Sequence, residues 1–132
     1  MLGKSVLCIS ALLFMAYGLV SVVSPEIPAG FAGLEMPTGD AYAEIGAMYG
    51  GLQTGIGLFC LLALLRPAFY QSGLVLLLIG IGVLATARLY SSMSAPEPVS
   101  LYTIGAIGYE FLTALLAGVA LKYEEYHKQS RS

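Results

Sequence analysis

The stretch Gly73-Leu-Val-Leu-Leu-Leu-Ile-Gly-Ile-Gly-Val-Leu-Ala-Thr-Ala-Arg-Leu-Tyr90 is apolar almost throughout and carries one charge, Arg88, close to its end. A helix needs about 20 such residues to cross the hydrocarbon core of a bilayer. No backbone polar group can stay unpaired at that depth, so a helix is the expected conformation. Three further runs have the same character: Ser5–Val23, Glu44–Leu65 and Leu101–Leu121. The expected fold is therefore all-α, an integral membrane four-helix bundle with antiparallel neighbours. A single domain, residues 1–132, would have spans at about 5–23, 44–65, 73–90 and 101–121.

The basic residues orient the chain. Lys4 precedes the first run, Arg66 follows the second, and Lys122, Lys128 and Arg131 follow the fourth. The segments Ser24–Ala43 and Ser91–Ser100 hold no Lys or Arg, only Glu26, Glu35, Asp40 and Glu97. Because cationic loops stay in the cytoplasm, both termini are expected there. Tyr42, Tyr70, Tyr90, Tyr102, Tyr123 and Tyr126 fall near span ends, as an aromatic belt requires, whereas Tyr17, Tyr49 and Tyr109 lie deeper and need hydrogen-bond partners.

Composition excludes several classes. Apolar residues make up 58% of the 132 and charged residues 11%, too few to cover a soluble surface. No basic patch of nucleic-acid-binding type occurs. Cys8 and Cys60 are separated and both fall in the cytoplasmic half of the bilayer, which suits packing residues rather than a disulfide or a redox motif. With His127 the only histidine, in the charged tail, no His-based metal site or triad can be built, and no metal or cofactor is expected. The first run has no small-x-small cleavage site after it, so it reads as a retained span rather than a signal peptide.

Connections are short at Arg66–Ser72, where Pro67 stops the second helix, and at Ser91–Ser100, held extended by Pro96 and Pro98. The longer first connection places Ile27, Phe31 and Leu34 at helical spacing, which fits either a short interfacial turn or an ordered loop. Asp40 is the expected N-cap of the second helix. In that helix the small-xxx-small pairs Gly46/Gly50 and Gly51/Gly55 suit close packing, either inside the bundle or with a protein partner or second copy.

Charged groups inside the bilayer define the candidate site. Arg88 sits about 6 Å inside the outer end of its span, counted from Ser92, and Glu110 about 14 Å from the same end of the next. Helical side chains lean toward their own N-terminus. The two helices run oppositely, so the guanidinium leans inward and the carboxyl outward, and the two should pair. Thr103, Ala106, Glu110, Thr113 and Ala117 share a small, polar stripe suited to an interior, opposite Ile104, Ile107, Phe111 and Leu115. Glu44 could cap Arg88 from the outer side. Gln53, nine residues beyond Glu44, falls on the opposite face of a regular helix, so both reach one cavity only if the glycines distort the helix. The candidate binding residues are Glu44, Tyr49, Gln53, Arg88, Tyr109 and Glu110, with Glu110 as the candidate catalytic group.

These residues also carry a resemblance. Glu44-Ile-Gly-Ala-Met-Tyr-Gly-Gly-Leu-Gln-Thr-Gly-Ile-Gly57 through Arg66-Pro67, then Ala87-Arg-Leu-Tyr-Ser91, a Pro-containing loop and Glu110, resemble an uncharacterised bacterial family of four-helix membrane proteins. That family is a domain of unknown function, similar in layout to the DoxX-like group. Its members often carry a basic residue after the first glutamate and an acidic-glycine pair in the last outer loop; Ile45 and Ser94-Ala-Pro96 stand there instead. The resemblance implies a multi-pass protein of the bacterial inner membrane and no particular activity.

Three functions compete. The polar cluster could bind a membrane lipid, a small hydrophobic or amphipathic molecule, or a partner subunit. It could serve an isomerase-like enzyme acting on a lipid-soluble substrate, with Glu110 as acid/base and a tyrosine assisting. It could also couple protons to transport, although the first span, where small multidrug transporters place their glutamate, holds no charge after Lys4. Apart from these, Arg88–Glu110 could simply fix helix registry.

Overall fold

A computed structural model describes the backbone of residues 1–129. The side chains of His127 and Lys128, and Arg131, which the sequence reading places in a charged tail, lie outside the described residues. The described residues form helices and connections without a strand. They comprise α1 (Leu2–Val23), α2 (Glu26–Ala32), α3 (Gly39–Leu65), α4 (Pro67–Ser94) and α5 (Leu101–Gln129). Of these, α1, α3, α4 and α5 are long and apolar enough to cross a membrane, so the all-α reading with four spans holds. The chain divides into two compact units, one of Cys8–Leu62 and one joining Met1–Leu7 to Ala63–Ser132.

In the Cys8–Leu62 unit, α1 and α3 pack through glycines. A Cβ on Gly57 would stand 2.7 Å from the Met15 nitrogen, and one on Gly50 would stand 2.8 Å from that of Val22. Gly18 meets the Thr54 backbone in the same way, at 2.5 Å. Numbers fall along one helix as they rise along the other, so the pair is antiparallel. Lipid supplies no hydrophobic drive between helices, and such close backbone approach is how they associate. The glycine pairs anticipated from sequence therefore split. Gly50 is used inside the unit and Gly46 faces Pro25 at 3.6 Å, whereas Gly51 and Gly55 meet nothing within 4 Å.

The first connection contains a true helix. α2 ends at Gly33, whose φ of 68° is left-handed, a conformation glycine adopts without steric cost. Ile27, Phe31 and Leu34 are all exposed, as an apolar strip lying against a bilayer surface would be. The α3 N-cap is Thr38 rather than Asp40: the extended Thr38 accepts a hydrogen bond on its hydroxyl from the Ala41 amide at 3.1 Å, and Asp40 falls within the first helical turn. There its carboxylate still complements the helix dipole.

In the other unit, Arg66 alone joins α3 to α4. It is extended, and Pro67 opens the next helix with a short 3-10 turn. Proline suits that first position because its missing N–H would lack a helical partner anyway. α4 thus runs longer at both ends than the expected 73–90. Gly82 packs on Ala114 and Gly118 on Leu78, so α4 and α5 are antiparallel. Leu74, Leu77, Ile81 and Ala85 are buried along α4, and Ala114, Ala117 and Ala120 along α5.

Gly57→Val should therefore destabilise the protein by about 1–3 kcal/mol, since its Cβ cannot fit against backbone. Gly51→Val, in open space, should change stability by less than about 0.5 kcal/mol. Thermal unfolding in mild detergent distinguishes the two; equal effects would contradict this interface.

Candidate functional site

The buried stripe of α4 continues from Ala85 to Arg88, and that of α5 begins at Glu110. Helix pitch alone thus carries one charged residue from each helix to their seam. α4 extends six residues beyond Arg88, to Ser94, which puts Arg88 about 9 Å from the helix end and deeper than counting from Ser92 gives.

There the two side chains pair. Arg88 donates from Nε to Oε2 of Glu110 at 3.0 Å and to Oε1 at 3.1 Å, and from Nη2 to Oε1 at 2.8 Å. Both carboxylate oxygens accept, in the forked arrangement that makes Arg–carboxylate pairs strong and directional. Burial is unequal: the Glu110 side chain is 7% exposed and that of Arg88 24%. The acid is enclosed and the cation is the accessible member.

The surroundings follow the interior stripe read from sequence. Thr113 and Ala117 are buried on the same side of α5 as Glu110, whereas Ile104, Phe111 and Leu115 are exposed. Ile107 is half-buried, nearer the interior than expected. The Tyr109 hydroxyl is buried beside Glu110 in sequence. Ser92 donates its hydroxyl to the Arg88 carbonyl at 2.7 Å. Among the described residues no group of three or more His, Cys, Asp or Glu side chains could hold a metal ion.

Glu44, Tyr49 and Gln53 all lie on α3 in the Cys8–Leu62 unit; Glu44 is exposed, and Tyr49 and Gln53 are half-buried. Between Glu44 and Gln53, residues Gly46–Gly51 form a π-turn, which ends with the Leu52 amide bonding the Ala47 carbonyl. One such wide turn equals one extra residue and removes about 100° of accumulated twist. Nine residues would otherwise set Glu44 and Gln53 about 180° apart; with the π-turn they differ by about 80°. The distortion needed to bring them toward one face is thus present. A second π-turn, Leu77–Ile81, interrupts α4. Reading the sequence did not locate either turn, although glycines cluster in or beside both.

A further polar group, unanticipated from sequence, occupies the end of the second unit where the chain starts. Tyr70 lies near Glu124, and both line one cavity. Gly3 makes this approach possible, since a Cβ there would collide with the Tyr70 hydroxyl.

Together, four helices long and apolar enough to cross a membrane, two of them joined by a buried Arg–Glu pair, describe a multi-pass membrane protein. The chain belongs to the family described as Domain of unknown function (DUF4345), which it matches over residues 3–121. No curated protein and no solved structure matches it.

Removing one partner of a buried pair typically costs about 3–5 kcal/mol, because the other charge is left uncompensated. Arg88→Gln should approach that loss, since it strands the more enclosed carboxyl. Glu110→Gln should cost less, because the longer arginine can snorkel toward the interface. Denaturation in detergent micelles, completed with the double variant as a cycle, should give a coupling of at least about 1 kcal/mol; additive effects would mean the pair contributes no interaction.

Proposed function

We propose that this is a bacterial inner-membrane protein with both ends in the cytoplasm, and that Arg88 and Glu110 form a binding site for a small amphipathic molecule in the outer half of the bilayer. The orientation rests on the distribution of Lys and Arg between the loops. The observation that carries the site is the unequal burial of the pair: an enclosed carboxylate fixes the guanidinium while a quarter of the arginine side chain stays accessible. A head group with a hydrogen-bond-accepting or anionic oxygen would find a preoriented donor there, already desolvated on one side.

Binding fits this geometry better than proton chemistry. Both Glu110 oxygens already accept from Arg88, so an isomerase or a proton-coupled transporter would first have to open that fork. Glu44, Tyr49 and Gln53 are further polar residues on α3, and the π-turn narrows the angle between the first and last of them to about 80°.

Native mass spectrometry of protein extracted in mild detergent tests the reading. The wild type should retain an amphiphile, Arg88→Gln should lower its retention about tenfold, and Glu110→Gln should weaken it less, because the cation remains but is no longer held in place. A wild type carrying no adduct, or an adduct indifferent to Arg88, would leave the pair as a registry device only.

A further inference from the structure

At the end of the spans where the chain starts, a cavity of about 520 Å³ opens within the unit formed by Met1–Leu7 and Ala63 onward. That is in the range of small-molecule sites, about 300–1,000 Å³. Part of its wall is apolar, from Leu64, Leu65 and Pro67, and part is polar, from Lys4, Gln71, Tyr70 and Glu124. It is remote in sequence from Arg88 and Glu110 and shares no residue with that pair.

Its walls carry one cation and one anion that do not neutralise each other. The ion pair formed among the described residues is Arg88–Glu110; Lys4 and Glu124 are not bridged. Glu124 is instead approached by the Tyr70 hydroxyl, which passes over Gly3. A purely anionic ligand would meet Glu124 unfavourably, and a purely cationic one would meet Lys4. A ligand with a negative group and an ammonium a few bonds apart satisfies both.

The position narrows the source. The cavity joins the polar ends of α1, α4 and α5 to the last apolar turn of α3, at the ends of segments apolar enough to cross a membrane. We propose that this cavity binds the phosphoethanolamine head group of a zwitterionic aminophospholipid. Lys4 and the Gln71 amide meet the phosphate oxygens, Glu124 meets the primary ammonium, and the lipid's chains descend beside Leu64 and Leu65. The ammonium offers N–H donors that a trimethylated head group lacks, so a carboxylate can distinguish the two.

The test is lipid retention by the full chain, measured by native mass spectrometry from nanodiscs containing equal parts phosphatidylethanolamine, phosphatidylcholine and phosphatidylglycerol. Phosphatidylethanolamine should be retained about tenfold over each of the others. Lys4→Gln should lower retention of the lipid, Glu124→Gln should abolish the preference, and circular dichroism should show both variants folded. Glu97→Gln, an exposed position in the Ser91–Ser100 connection outside both sites, should leave the preference intact. Equal retention of the three lipids, or preference for phosphatidylglycerol, overturns the proposal. Competition by soluble phosphoethanolamine as effective as by the lipid overturns the membrane source.

Discussion

A bilayer core supplies no water, so every polar group carried into it must find its partner within the protein, and this constraint shapes the chain at each level. The backbone answers by being helical almost from end to end. Hydroxyls answer locally. Ser21 bonds the Tyr17 carbonyl, Thr86 that of Gly82, and Ser92 that of Arg88, each one turn back along its own helix. The Thr54 hydroxyl is an exception: it is buried against Gly18 without a hydrogen-bond partner among the described residues. Charges cannot be satisfied by their own helix, and for Arg88 and Glu110 the neighbour supplies the partner.

That requirement also explains why small residues line the contacts. With no hydrophobic gain from leaving lipid, helices hold together through van der Waals contact, which rewards backbones that approach closely. Gly18, Gly50 and Gly57 serve this between α1 and α3, whereas Gly82 and Gly118 leave room for the Ala114 and Leu78 side chains between α4 and α5. The same seam between α4 and α5 then brings Arg88 and Glu110 within reach of each other. Glycine packing and ion pairing are two consequences of one antiparallel contact.

The spans and the ion pair were legible in the sequence because both follow from simple periodicities. Apolar run length marks a span, and the rise per residue fixes the depth of a lone charge within it. Azimuth was less legible. Gly46–Gly51 looks like a packing stripe, yet glycine gives no sign of whether the helix keeps its regular twist there, and the π-turn that swings Gln53 back toward Glu44 left no unique mark. Boundaries were equally ambiguous where two residues could do one job. Thr38 and Asp40 are both good caps, and Pro67 both ends α3 and opens α4. The Tyr70–Glu124 contact escaped notice because it joins residues whose common end of the molecule is set by topology, with Gly3 between them readable only as one more small residue.

The two polar sites differ in what their geometry allows. At Arg88 and Glu110 the opposite charges are spent on each other, so the binding proposed there would take its selectivity from the accessible part of one arginine and from shape. At the other end, Lys4 and Glu124 line one cavity and are not paired with each other, which is what the proposed head-group site uses. A carboxylate already engaged by a guanidinium resists exchange, because any substitute must replace a forked bond formed in low dielectric. A carboxylate approached by a neutral tyrosine retains capacity for an ammonium, and the cation beside it sets the distance at which a second, negative group is welcome. On this argument the Arg88–Glu110 pair is the fixed element, and the cavity lined by Lys4 and Glu124 is where the proposed discrimination among head groups would reside.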